Sequence, residues 1–209
     1  MKKLFLPYNE VRNNAIKLAY RIYRDGFIPD VIYVPLRGGA CPGNVISEYF
    51  KILREGKRPI VYAAVVARSR SSRGDRGPVV VDGWTYDPEH LRIGNRILIV
   101  DDIFDSGATL NNLTGTIMSR GIPREDIKLA VHDYKILKYL NKPHEITIQP
   151  DYYCNKYIIQ NHDEEIWIHY LSHELTGLTE DEIKKYYTSE DESLAEAFKL
   201  LMAPLSAAE

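Results

Sequence analysis

The chain has 209 residues, 44% of them hydrophobic and 27% charged, a balance that suits one globular domain with a small addition. Its 27 basic and 29 acidic side chains leave a formal charge of -2, without the basic excess that favours a nucleic-acid partner. No apolar stretch reaches the length of a membrane span, and the run at Leu4–Leu6 is too short for a signal peptide, so no membrane contact and a cytoplasmic location are expected.

The first helix is expected over residues 9–25, where Val11, Ala15, Leu18, Ala19 and Ile22 recur at helical spacing before Gly26. A β-branched run at 31–34 reads as a strand. Residues 35–42, with two glycines and two prolines, read as a loop, and helical spacing resumes over 43–55. Cys41 and Cys154 have no spacing that suits a disulfide framework and are expected as reduced thiols.

A second strand is expected at 60–66. Residues 67–78 follow, with Arg68, Arg70, Arg73 and Arg76 among serines and glycines, a composition that cannot bury itself and is expected to be mobile. Strands at 79–81, 97–100 and 127–131 and a helix at 108–120 complete the pattern. The continuous aliphatic run at 97–100 suits a central strand covered on both faces. Strand–loop–helix alternation implies an α/β fold with a mainly parallel central sheet flanked by helices, its ligand loops following the strands at one edge. Near the C-terminus, Thr179 with Glu182 and Ser189 with Glu192 fit capping-box spacing, so two short helices are expected, ending near Pro204.

One segment concentrates chemistry. The strand at 97–100 runs into Asp101, Asp102 and, after Ile103 and Phe104, into Asp105-Ser106-Gly107-Ala108-Thr109 at a helix start. Unpaired N–H groups and the dipole of a helix N-terminus suit a phosphate; Ser106 and Thr109 add hydroxyl donors, and Gly107 permits a close backbone approach. The acids at the strand end suit sugar hydroxyls. The plainer alternative is that Ser106 merely caps the helix and the acids face water. Neither G-x-x-x-x-G-K-[ST] nor G-x-G-x-x-G occurs.

The stretch Ile99–Thr109 resembles the signature of type I phosphoribosyltransferases, an apolar strand followed by Asp-Asp-x-x-x-[Ser/Thr]-Gly-x-Thr. The resemblance implies that the chain binds 5-phosphoribosyl 1-pyrophosphate (PRPP). Asp101 and Asp102 would hold the ribose hydroxyls and Mg2+, directly or through those hydroxyls and water. Asp105, Ser106, Gly107, Ala108 and Thr109 would wrap the 5′-phosphate. Leu36-Arg37-Gly38-Gly39 looks like the family's pyrophosphate loop, often built on a cis peptide that would fall at Leu36–Arg37, and residues 67–78 sit where the family has a flexible hood.

Three features look like the 6-oxopurine (xanthine-guanine and hypoxanthine-guanine) branch. Asp105 stands where a carboxylate assists proton transfer near purine N7 and is the expected catalytic residue. Lys135 stands where a lysine donates to the 6-oxo group. Trp167 or Ile168 would cover the base, although a buried core tryptophan is an equally plain reading. The resemblance thus implies purine salvage: a base and PRPP give a nucleoside 5′-monophosphate and pyrophosphate. Residues 1–175 would form the phosphoribosyltransferase domain, with a base-binding hood at 150–175, and residues 176–209 a helical extension. A homodimer or homotetramer is implied by the family alone.

The chain departs from the branch after Trp167, where Ile168-His169-Tyr170-Leu171-Ser172-His173-Glu174 replaces the usual Pro-Trp-acid; Glu174 is a candidate for that acid. Alternatives stay open: a non-catalytic PRPP-binding regulator, transfer to a different base, or a metal hydrolase using His162, His169, His173 and Glu174, which lack the H-E-x-x-H order.

Overall fold

The computed structural model describes residues 2–54, 58–69, 79–139 and 148–202. The chain divides into two compact units, Met1–Ser172 and His173–Glu209.

Among the described residues of the first unit, eight strands and three α-helices follow one another as β1 (Lys2–Leu6), α1 (Tyr8–Arg24), β2 (Val31–Leu36), α2 (Ala40–Leu53), β3 (Val61–Ser69), β4 (Val79–Trp84), β5 (Ile97–Phe104), α3 (Ala108–Met118), β6 (Ile127–Leu137), β7 (Tyr152–Ile159) and β8 (Ile166–Tyr170). Six strands form the main sheet in the order β4-β3-β2-β5-β6-β7. All neighbours run parallel except β4, which returns antiparallel beside β3. The mainly parallel sheet inferred from the sequence is therefore present.

Central strands buried on both faces need continuous apolar runs, and β5 supplies one: Ile97, Leu98, Ile99 and Val100 are all fully buried. Their side chains alternate between two cores. Ile97 and Ile99 join Leu110, Leu113 and Ile117 of α3, whereas Leu98 and Val100 join Ala15, Leu18, Ala19 and Ile22 of α1 and Ile46 and Phe50 of α2. The periodic residues of α1 are thus the ones buried. Gly26, at φ 74°, ends that helix, and the Phe27 N–H reaches back to the Ile22 carbonyl (3.1 Å), a Schellman closure.

Several elements extend beyond their sequence-based limits. β2 continues through Pro35 and Leu36, and α2 begins at Ala40 rather than after residue 42. β5 runs four residues past Val100, through both acids to Phe104, because Ile103 and Phe104 stay in register with Asp133 and Tyr134 of β6. β3 likewise carries Ala67, Arg68 and Ser69, residues assigned above to the basic loop. Arg68 is held by Asp82 across the β3–β4 pair (2.5 Å); Arg70, Arg73 and Arg76 lie outside the described residues.

The segment 150–175 does not form one piece. Tyr152–Ile159 is the edge strand of the main sheet, and Ile166–Tyr170 pairs in parallel with Lys2–Leu6 in a separate two-stranded sheet. Cys154, on β7, gives its Sγ–H to the Asn14 carbonyl at 3.6 Å. Burial first, and then the Asp133 charge, pushes its thiol up to about 11. Thiolate at neutral pH is therefore depleted. Iodoacetamide at pH 7.5 is therefore expected to leave Cys154 unmodified in the folded protein while alkylating it after denaturation, as peptide mass spectrometry would read; rapid native modification would contradict this burial.

In the second unit, the capping box expected at Thr179 and Glu182 is present at the start of α4 (Glu180–Ile183), with both reciprocal hydrogen bonds. The one expected at Ser189 and Glu192 is not. A π-helical turn occupies Lys184–Thr188, and the Ser189 hydroxyl donates back to the Lys185 carbonyl (2.9 Å). Helix α5 (Leu194–Met202) follows instead a turn in which Asp191 accepts from both the Ser193 N–H and hydroxyl.

Candidate active site

In a doubly wound sheet, ligands collect beyond the C-terminal strand ends where successive connections leave in opposite directions. Here that point lies between β2 and β5: the chain leaves β2 toward β3 on one side and later enters β5 on the other. The two candidate segments, 36–39 and 101–109, take in the C-terminal ends of those two strands and the turns after them.

The first loop turns through a cis peptide at Leu36–Arg37, the bond implied by the family resemblance. Hydrogen bonds from the Gly39 N–H to the Pro35 carbonyl and from the Ala40 N–H to the Arg37 carbonyl, both 3.1 Å, tighten the turn into α2. Leu36 and Arg37 are exposed. The glycines bring this loop against β5. A Cβ on Gly38 would collide with the Asp102 carboxylate, and one on Gly39 with the Val100 carbonyl.

On β5, Asp101 is 9% exposed and its Oδ1 accepts the Asp102 N–H at 3.0 Å. Asp102 is half-buried. The following loop depends on Gly107 for two reasons. Its φ of 81° lies in the left-handed region, and a Cβ there would strike the buried Phe104 ring. Gly107, not Ser106, stands at the N-cap of α3; the Ser106 hydroxyl accepts the Ala108 N–H at 3.3 Å, forming a local turn. Asn111, which drew no attention in the sequence, links Gly107 to Ile148: its amide donates to both carbonyls and its Oδ1 accepts the Ile148 N–H.

Lys135 lies on β6, one residue beyond the Phe104–Tyr134 register pair, so it stands beside Asp105. It is only 4% exposed. Its ammonium is 3.8 Å from Asp105 Oδ1 and 3.8 Å from Glu165 Oε1. Those separations exceed hydrogen-bond length, and among the described residues the ammonium donates no hydrogen bond. Glu165 is held from its other oxygen by the Tyr139 hydroxyl (2.8 Å). The sequence marked Lys135 and Asp105 but missed Glu165, which lies thirty positions from Lys135 with no local signature.

On β8, Trp167 and Ile168 alternate between faces. Ile168 is 5% exposed and packs with Leu6, Val11 and Tyr170, whereas Trp167 is exposed, so the tryptophan is not a core residue. Glu174 belongs to the second unit. Among the described residues no three His, Cys, Asp or Glu side chains form a metal-binding group, so the histidines weighed for a hydrolase are not gathered as ligands. No described helix is long and apolar enough to cross a membrane.

A buried polar chain backs the strand ends. Asp133, fully buried on β6, accepts from His132 Nδ1 (2.7 Å), Asn155 Nδ2 (2.9 Å) and the Tyr170 hydroxyl (2.6 Å). Desolvation foremost, then the charges of Asp102 and Asp133, pushes the Tyr170 phenol well above its ordinary range, so it stays a proton donor.

Comparison with known proteins agrees with this geometry. The profile of the phosphoribosyl transferase domain family matches residues 7–149. Among solved structures, a purine phosphoribosyltransferase from Pyrococcus horikoshii superposes with a TM-score of 0.61 at 23% identity, over 86% of this chain and 99% of that one. A hypothetical protein from Neisseria gonorrhoeae with bound ppGpp gives 0.60 at 19%, over 94% and 97%. A hypoxanthine phosphoribosyltransferase from Staphylococcus aureus gives 0.54 at 18%, over 72% and 74%. At these identities the structures speak for the fold. No curated protein matches the sequence. The family match spans most of the chain and contains both loops at the β2–β5 switch point, and the chain accordingly belongs to the phosphoribosyl transferase domain family, as a glycosyltransferase-type enzyme.

Proposed function

We propose that the protein is a purine phosphoribosyltransferase that joins a 6-oxopurine to the ribose of PRPP, giving a nucleoside 5′-monophosphate and pyrophosphate. The observation that carries the choice of base is Lys135, a buried ammonium between two carboxylates but beyond hydrogen-bond reach of either. A buried charged donor calls for a hydrogen-bond acceptor. A 6-oxo group supplies one, whereas the 6-amino group of adenine is a donor.

In this reading the 101–109 loop takes the phosphoribosyl half. Asp102 and Asp101 face the ribose hydroxyls, and the Ser106–Thr109 backbone amides and hydroxyls receive the 5′-phosphate at the start of α3. Leu36, Arg37, Gly38 and Gly39 receive the diphosphate. The C1–oxygen bond to pyrophosphate breaks as a bond from C1 to a purine nitrogen forms, through an oxocarbenium-like transition state. Asp105 accepts the proton that the base loses, and Lys135 holds the 6-oxo oxygen. Trp167 is the side chain left to cover the base.

The donor set suits magnesium. This ion typically takes one or two carboxylates together with substrate phosphates rather than a dedicated protein cage. Asp101 and Asp102 would hold it, with ribose hydroxyls and water, and it would neutralise charge on the departing diphosphate. The same reading takes the protein as cytoplasmic, from its sequence pattern, and as a homodimer or homotetramer, on family resemblance alone.

Gly38→Ala should weaken PRPP binding about ten- to a hundredfold, because the methyl displaces the Asp102 carboxylate. Calorimetry with magnesium present reads this directly, and unchanged affinity would argue against a ribose-facing Asp102. The base assignment is tested by product formation with PRPP, magnesium and each of hypoxanthine, guanine, xanthine and adenine. Nucleotide from an oxopurine and little from adenine is expected; adenine as the preferred base would overturn the role given to Lys135.

A further inference from the structure

Tyr170 comes from β8, in the small sheet, yet its hydroxyl reaches the strand that carries the paired acids. The phenol oxygen is 3.0 Å from the Asp102 carbonyl and 2.6 Å from Asp133 Oδ2. Both are acceptors, so the single phenol proton is shared between them in a three-centre bond. Asp133 is itself fixed by two further partners, one of them anchored in turn. His132 Nδ1 donates to the oxygen that receives Tyr170, Asn155 of β7 donates to the other, and His132 Nε2 meets Asn14 of α1 at 3.1 Å. Asp133 is also in register with Ile103, the residue after Asp102. Elements α1, β6, β7 and β8 therefore converge on one peptide group of β5, the one joining Asp102 to Ile103.

That peptide is a leverage point. Rotating it would tilt the Asp102 Cα–Cβ bond, and the Asp102 carboxylate already lies against Gly38 with no room for a methyl between them. We propose that Tyr170, braced by Asp133, is a positioning residue for PRPP: it locks the Asp102 peptide so that the carboxylate faces the ribose hydroxyls before the substrate arrives. The inference rests on the PRPP reading of the 101–109 loop. Fixing a binding group in advance lowers the ordering cost of association, so the effect falls on affinity for the sugar phosphate and spares the base.

Tyr170→Phe removes only the hydroxyl and keeps the ring that packs with Leu6, Val11 and Ile168. In calorimetry with magnesium its PRPP Kd should rise about ten- to a hundredfold. In steady-state kinetics KM for PRPP should rise in parallel, with KM for the base unchanged. Ile22→Val, a buried change on α1 that touches none of these hydrogen bonds, should lower thermal stability with the PRPP Kd unaltered. If Tyr170→Phe does not fold, Asp133→Asn serves for the same readout, since it weakens the brace without altering the phenol. An unchanged PRPP Kd in the folded variant, whatever its melting temperature, would overturn the inference and leave the network purely structural. Wild-type protein that fails to bind PRPP would overturn the underlying reading, and this inference with it.

Discussion

Asp105→Asn is expected to lower kcat by about 10²–10⁴, the usual contribution of a positioned general base, with little change in PRPP affinity. The two halves of this expectation come from different atoms. The loop's hold on the 5′-phosphate uses backbone amides and the Ser106 and Thr109 hydroxyls, and asparagine leaves the loop's course and volume intact. The carboxylate, by contrast, points toward Lys135 at 3.8 Å, on the side where the base would lie. Asparagine cannot accept the proton that the purine must lose. Initial rates over a range of base and PRPP concentrations separate these effects. A variant that keeps near wild-type kcat would remove Asp105 from the chemistry and leave it as part of the loop's framework.

Lys135→Met should raise KM for the oxopurine about ten- to a hundredfold, the effect of leaving a buried polar partner unmatched, while KM for PRPP stays close to the wild-type value. Methionine matches the lysine stem in length and suits its buried path along β6. The substitution also removes the positive charge between Asp105 and Glu165, so some loss of stability is expected and melting temperature should be measured alongside. Lys135→Arg separates charge from shape. It restores a cation near the two acids but places a bulkier fork where a compact ammonium stands, so stability should recover more than base affinity. Equal KM for the base in wild type and Lys135→Met would mean that the ammonium is structural, held there to neutralise its neighbours.

The parts of the fold legible in the sequence are those whose cause is local. The buried stripe of α1 follows from five apolar residues at helical spacing, and β5 from four consecutive aliphatics. The Asp-Asp-x-x-x-Ser-Gly-x-Thr run disclosed the loop, because a strand end, a positive-φ glycine and a helix start all lie within a few residues. What stayed hidden depends on pairing between distant segments. Lys2–Leu6 is too short to declare itself a strand, and its partner Ile166–Tyr170 lies at the other end of the unit. β5 outlasts its aliphatic run because β6 continues beside it, so two acids sit inside a strand that composition alone would end at Val100.

The site divides in the same way. Asp101, Asp102 and Asp105 could be named from their neighbours in sequence, and the glycines of the 36–39 loop through the family resemblance. Glu165 and Tyr170 could not, since each acquires its place only when β8 comes near the ends of β5 and β6. His132 and Asp133 lie just past the strand expected at 127–131, on the part of β6 that the structure adds. Nothing in the sequence distinguished a buried carboxylate satisfied by His132, Asn155 and Tyr170 from a surface acid. Ser189 shows the opposite failure: its spacing to Glu192 matched a capping box, but the π-helical turn before it directs the hydroxyl to Lys185 instead.

The most direct test of the whole account is PRPP binding to the unmodified protein, measured by titration calorimetry with and without magnesium. Saturable binding is expected, strengthened by magnesium and lost when Asp101 and Asp102 are both replaced by asparagine. Absence of binding in the presence of magnesium, or binding indifferent to both aspartates, would mean that the ends of β2 and β5 and the turns after them do not form a PRPP site.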